Sequence, residues 1–196
     1  TMKNVGIGEY KPYLAFSLGA GDTTVLRMTN AYSALANHGV QYTPSLIDYI
    51  QDRKGKVIWK SDKRRCSRCN MAKWDGRPMP RVARPGKQVM DPGTAFQTMH
   101  MLTGVILRGT ATVLKDLNLP LFGKTGTTSG PRDVWFVGGS QQFVAGTYLG
   151  FDKPRPMGGY AQGGSLAAPM FKKLVEETKS RWEPRPFIAP NGIRMV

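Results

Sequence analysis

Lys124-Thr125-Gly126-Thr127-Thr128 places an ammonium, three hydroxyls and a position without a side chain inside five residues. The ammonium and the hydroxyls are hydrogen-bond donors. Gly123 and Gly126 leave one side of the segment bare, so another backbone or a ligand can approach it closely. Such a lining suits an anionic or carbonyl-bearing ligand. Downstream lies an acidic-aromatic cluster, Asp133-Val134-Trp135-Phe136. Asp133 follows a glycine-proline loop and could act as a base; it reads more simply as a loop cap or a partner of Arg132 or Lys124. Trp135 and Phe136 read as core residues of a strand, and Ser129 and Ser140 as turn residues rather than nucleophiles. Gly163-Gly164 reads as a tight junction before a helix, since no lysine sits at phosphate-loop spacing from it.

The elements that position these groups follow from periodicity. Leu119 to Phe122 has the composition of a strand entering a core, and Val134–Gly139 and Gln142–Phe151 are two further strands joined at Ser140-Gln141. Short connections make the three an antiparallel meander over about 119–151. A helix starting with Asp22 as its cap runs to about Asn37, with Val25, Met28, Tyr32, Leu35 and Ala36 on one face and His38-Gly39 as its stop. Asp91-Pro92 opens a second helix that carries Ala95, Met99, Leu102, Val105 and Ile106. A short helix over Ala111–Leu117 leads to the lysine strand. Ser165 caps a last helix with Met170, Phe171, Leu174 and Val175 on one side, suited to packing across the meander. The fold class expected is α+β, an antiparallel sheet packed by helices. His38 and His100 both fall within helical stretches as structural residues.

The 196 residues suffice for one domain, and 40% hydrophobic residues can build a core. No apolar run approaches a membrane span and no signal-peptide layout opens the chain; Thr1-Met2-Lys3-Asn4 reads as an excised piece as readily as a natural start. The net charge of +15 is large, but it spreads through Lys60–Arg84 and the C-terminal end instead of interleaving with aromatics on one face. Nucleic acid is therefore not the favoured partner; solubility and proximity to anionic lipid or polymer are the other readings. A hairpin over Ser45–Trp59 precedes a basic surface insertion at about 61–87. Within it, Cys66 and Cys69 form a C-x-x-C, read as a local disulfide or structural pair, with free thiols or a metal shared with another segment as alternatives. Residues 183–196 read as an extended tail.

Taken in order, Gly109-Thr110-Ala111-Thr112, Lys124-Thr125-Gly126-Thr127-Thr128, Asp133-Val134-Trp135-Phe136-Val137-Gly138 and Gly163-Gly164-Ser165-Leu166-Ala167-Ala168-Pro169 resemble the C-terminal half of the transpeptidase domain of bifunctional (class A) penicillin-binding proteins. The resemblance runs from about Ser17 to about Lys179 outside the insertion, so the domain would occupy 1–182. It implies a serine β-lactamase/transpeptidase-like fold and a part in serine acyl transfer that cross-links peptidoglycan stem peptides. It further implies catalytic roles for Lys124 and Thr127, the latter giving an oxyanion donor through its backbone N–H. Thr125, Gly126, Thr127 and Thr128 would bind the substrate, with the two threonine hydroxyls on its carboxylate. No cofactor and no metal are implied. The implied partners are the stem peptide, β-lactams once the domain is complete, and the N-terminal part of the same protein. The place is the periplasmic, extracytoplasmic side of the cell membrane, anchored by a segment outside this chain. A parent of this class would also carry a glycosyltransferase domain. An oxidising compartment favours the Cys66–Cys69 disulfide. A serine β-lactamase-like hydrolase is a rival within the superfamily, and a basic binding module for nucleic acid or anionic polymer is a rival outside it.

Acyl transfer also needs a nucleophile and a group to take its proton. No serine here has a lysine three residues later or an asparagine two later, so neither S-x-x-K nor S-x-N is present. The nucleophile is expected outside this chain. Incubated alone with a fluorescent penicillin, the 196-residue polypeptide is expected to show no denaturation-resistant label on a gel; a stable labelled band would contradict that.

Overall fold

The computed structural model describes residues 2–64, 69, 71–78 and 86–194. In chain order the main elements are α1 (Val25–Ala36), β1 (Val40–Gln41), β2 (Tyr49–Gln51), β3 (Val57–Lys60), β4 (Lys87–Gln88), α2 (Pro92–Leu107), β5 (Phe122–Thr127), β6 (Asp133–Gly139), β7 (Val144–Gly150) and α3 (Ala168–Thr178). The chain divides into two compact units. One comprises Thr1–Gln41 with Gln88–Val196, the other Tyr42–Lys87.

The larger unit is built on an antiparallel sheet in the order β5-β6-β7. Phe122 lies opposite Gly139 and Thr127 opposite Val134, which fixes the register along β5 and β6. Because side chains alternate between faces, Phe122, Lys124 and Gly126 share one face, and Gly123, Thr125 and Thr127 the other. The first face receives α1 and α2. There Phe122 packs with Leu35, Phe96 and Met99, its ring stacked 6.4 Å from that of Tyr32. Burial pushes the Tyr32 hydroxyl to a higher pKa. The second face receives α3, where Phe136 lies 4.7 Å from Phe171 amid Val134, Leu114 and Val175.

Glycines let these layers close. Gly123 and Gly138 face each other across β5 and β6. A Cβ on Gly138 would sit 2.2 Å from the Phe122 carbonyl oxygen, and one on Gly123 would sit 2.4 Å from the tip of the Phe136 ring. The Phe136 ring thus takes up the space that a side chain at residue 123 would need.

Helix ends agree with the sequence at the start of α2 and at the end of α1, which stops at Asn37 before His38 and Gly39, and depart from it at the starts of α1 and of the last helix. Asp91 caps α2 by accepting the Thr94 N–H at 2.9 Å, with Pro92 in the first turn. Thr24, not Asp22, caps α1, its hydroxyl accepting the Arg27 N–H at 3.2 Å. Both are good capping types, and the choice falls to the residue whose backbone is extended just ahead of the first turn. Gln162, not Ser165, opens the last helical stretch. A single π turn over Gly163–Ala167 precedes α3, and Ser165 stands in that turn, its hydroxyl accepting the Gln162 N–H at 3.1 Å. The short helix expected at Ala111–Leu117 is a 3-10 segment at Thr112–Leu117. It is tied to α3 by Lys172 and Asp116, whose carboxyl pKa is lowered by that hydrogen bond. The lysine strand begins at Phe122, after Pro120, so the chemically loaded residues form the strand itself. Beyond Trp182 the described residues form no regular element, yet they carry Phe187 back to the core, edge-on to Phe122 at 5.9 Å.

The smaller unit contains the antiparallel β2–β3 hairpin. Its turn is closed by Asp52, whose carboxylate accepts the N–H groups of Lys54 and Lys56, with Gly55 at φ +81°. The insertion foreseen at about 61–87 falls within this unit. Cys69 is disulfide-bonded; Cys66 lies outside the described residues.

Phe136 is fully buried between sheet and helix. Phe136→Ala is expected to cost about 3–5 kcal/mol, read as a lower midpoint in urea unfolding. A loss below about 1 kcal/mol would mean that the α3 face does not hold the sheet.

Candidate functional site

β5 is an edge strand, and the hydrogen-bond ladder decides which of its groups are free. The Thr128 N–H donates to the Asp133 carbonyl at 3.2 Å, one step beyond the paired Thr127 and Val134. Antiparallel ladders alternate. Lys124 and Gly126 therefore direct their backbone groups to β6, while Thr125 and Thr127 direct theirs to the open edge. The Lys124 ammonium, exposed to solvent, donates to the Thr125 carbonyl at 3.0 Å.

Side-chain alternation corrects one expectation: Gly123 and Gly126, three residues apart, do not leave one side of the strand bare but lie on opposite faces, the first against the Phe136 ring and the second against Trp135. The ammonium and the two hydroxyls do not line one face: Lys124 projects on the α1/α2 side and Thr125 and Thr127 on the α3 side. They meet only at the strand's free edge. A period of two residues dictates this, since 125 and 127 differ by two and 124 from each by an odd number.

The hydroxyl side is supported from beneath by two segments. The Thr110 and Thr125 hydroxyl oxygens are 2.6 Å apart. Gly163 donates its N–H to the Thr127 hydroxyl oxygen at 3.0 Å. Gly163 lies so close to the β5–β6 backbone that a Cβ there would fall 2.6 Å from the Trp135 carbonyl oxygen and 2.7 Å from that of Gly126. The pair Gly163-Gly164 is thus more than a junction before a helix. It is where one backbone lies flat on another, and Gly164 does the same against the Thr110 carbonyl.

Thr128 belongs to the turn. Its hydroxyl oxygen accepts the N–H groups of Arg132 and Asp133, each at 3.0 Å, so it shapes the loop after β5 and stands apart from the Thr125–Thr127 pair. Asp133 is not the partner of Arg132 or Lys124 but accepts the Trp135 indole N–H at 3.1 Å. Residues two apart on a strand share a face, which places that ring over its own neighbour's carboxylate. Trp135 is half-buried and stands edge-on to Tyr148 at 4.9 Å, whereas Phe136 is core. Ser140 is buried in the β6–β7 turn, its hydroxyl accepting the Gln142 N–H, and Ser129 is an exposed loop residue. Among the described residues no three His, Cys, Asp or Glu side chains gather as a metal site. Thr110 and the Gly163 N–H are site residues that motif reading did not single out. The Gly109-Thr110-Ala111-Thr112 string was visible, but nothing in it points to Thr125.

An antiparallel sheet with helices on both faces and this edge strand defines the α+β fold of the transpeptidase and β-lactamase class. Residues 8–176 match the penicillin binding protein transpeptidase domain model, and the chain belongs to that family. It is 36% identical over 198 residues to penicillin-binding protein 1A of Rickettsia bellii, covering 99% of this chain and 25% of the relative. With penicillin-binding protein 1A of Neisseria flavescens the identity is 34%, over 94% of this chain and 21% of the relative. The chain therefore spans about a quarter of the length of the curated relatives it matches. The crystal structure of penicillin-binding protein 1A from Haemophilus influenzae superposes with a TM-score of 0.75 at 21% identity, covering 96% of this chain and 32% of that one. PonA1 from Mycobacterium tuberculosis, in complex with penicillin V, gives 0.67 at 17% identity over 98% and 51%.

The Gly163–Thr127 bond is open to direct measurement. Thr127→Val removes the acceptor, and the Gly163 amide is expected to exchange with deuterium roughly 3–10-fold faster, the worth of one net hydrogen bond, while β6 amides keep their protection. Unchanged exchange at Gly163 would remove the bond from the description.

Proposed function

We propose that this chain supplies the substrate-docking strand of a peptidoglycan D,D-transpeptidase, which cross-links stem peptides ending in D-Ala-D-Ala by serine acyl transfer. The observation that carries the reading is the free edge of β5. Thr125 and Thr127 turn their backbone groups outward there, and the Lys124 ammonium lies beside them on a carbonyl of the same strand. A peptide can add to such an edge as another strand. Its terminal carboxylate would accept from the Thr125 and Thr127 hydroxyls. The Thr127 N–H would point at the oxyanion as it forms, where a preorganised donor lowers the barrier most.

Lys124 would supply positive charge beside the reacting hydroxyl and favour loss of its proton. That hydroxyl comes from a serine outside these 196 residues, since S-x-x-K and S-x-N are both missing here. Thr128 takes a supporting part in this reading by holding the loop that ends β5. Attachment to the membrane, on its periplasmic face, would also come from elsewhere: among the described residues no helix is long and apolar enough to cross a bilayer. The family match favours this reading over a β-lactamase or a stand-alone basic binding module.

In a complete transpeptidase domain containing this chain, Lys124→Ala is expected to slow acylation by a fluorescent penicillin about 10²–10³-fold. The thermal midpoint should hold, because the side chain is exposed. Acylation within threefold of the unmodified domain would end the assignment of Lys124.

A further inference from the structure

We propose that Thr110 is a positioning residue whose hydroxyl turns Thr125 into an outward-pointing donor, paired with the same service done for Thr127 by the Gly163 amide. The inference rests on the reading above, in which a carboxylate docks at Thr125 and Thr127. It adds an account of why those hydroxyls donate, and it names a residue outside the docking strand.

A threonine hydroxyl has one hydrogen and two lone pairs, and it rotates to suit its neighbours. Left to itself beside a carbonyl-rich strand edge, it satisfies itself by donating to backbone. Thr127 is denied that freedom on one side. The Gly163 N–H can only donate, so at 3.0 Å the Thr127 oxygen is the acceptor, and its own hydrogen remains for a ligand. At Thr125 the partner is another hydroxyl. The two oxygens, 2.6 Å apart, share one hydrogen, and either residue can supply it. An incoming carboxylate accepts and never donates. Once it takes the Thr125 hydrogen, Thr110 must donate to Thr125. The result is a directed relay from Thr110 through Thr125 to the carboxylate, in which each bond polarises the next.

The placement of Thr110 is itself fixed. The Ala111 N–H donates to the Val105 carbonyl at 3.0 Å, holding the turn that follows α2. Gly164 lies against the Thr110 carbonyl at a distance that no Cβ would allow. The same short strap, Gly163-Gly164, therefore sets both hydroxyl supports, one through its N–H and one by packing. A shift of this strap would move the two donors together.

The test uses the complete transpeptidase domain and two probes, a penicillin with its free carboxylate and the methyl ester of the same penicillin. The second-order acylation constant is measured for Thr110→Val, Thr110→Ser, Thr125→Val and the Val/Val double variant. Thr110→Val is expected to lower the constant for the free acid roughly 5–10-fold, the range of one polar interaction, and to leave the ester nearly unchanged. Thr110→Ser should restore the acid, and the double variant should be no slower than Thr125→Val alone, as two residues acting through one contact require. Equal losses on acid and ester would make Thr110 merely structural, and multiplying losses in the double variant would make it an independent contact; either overturns the inference. If Thr110→Val leaves the acid rate intact while Thr125→Val lowers it, the inference falls and the docking reading stands. If Thr125→Val itself leaves the preference for the free acid intact, the docking reading falls first.

Discussion

Two stretches of backbone must lie against each other with nothing between them for this site to exist. Gly163 rests on the carbonyls of Trp135 and Gly126, and Gly164 on that of Thr110. A methyl group at either position would lift the strap from the sheet, detach the Thr127 hydroxyl from its N–H donor and release the turn bearing Thr110. The strand edge would remain, but with hydroxyls free to rotate. Close packing at a few side-chain-free positions thus converts an ordinary sheet edge into one whose donors are aimed.

The same economy of side chains governs the sheet behind it. Gly123 leaves space on the α3 face that the Phe136 ring fills, and Gly138 lets the β5 backbone lie close, while Phe122 anchors the opposite face against α1 and α2. The strand is buried at Phe122 and Gly123 and emerges toward solvent from Lys124 to Thr127.

Much of this was legible in the residues. Asp91-Pro92 marks its helix unambiguously, because an acidic cap and a proline in the first turn suit no other element so well. The meander was readable from three apolar runs with short joints. What local chemistry did not settle was which of several competent capping residues would be used. Asp22 and Thr24 both qualify, and only the path of the chain out of the preceding loop selects Thr24. Ser165 looked like a cap and stands inside the first turn, since a π turn adds residues ahead of α3 that spacing rules for regular helices do not foresee. Asp133 meets the Trp135 indole because strand geometry brings alternate residues together, which outweighs the charge attraction that pointed to Arg132 or Lys124. The link between Thr110 and Thr125, fifteen residues apart, is a tertiary fact that no motif encodes.

Gly39, at φ +81°, closes another junction. Its carbonyl accepts the Val89 N–H at 2.9 Å, and a Cβ on it would collide with the carbonyl of Met90. The two points where the polypeptide departs for Tyr42–Lys87 and comes home are thereby fastened to each other within the larger unit. Whatever is threaded between them hangs from a stem that is already shut. Evolution can lengthen, recharge or re-equip that appendage, which holds thirteen of the chain's 28 lysines and arginines, without sending strain into the sheet. Variation between descendants should therefore gather there first, leaving the three-stranded sheet as common inheritance.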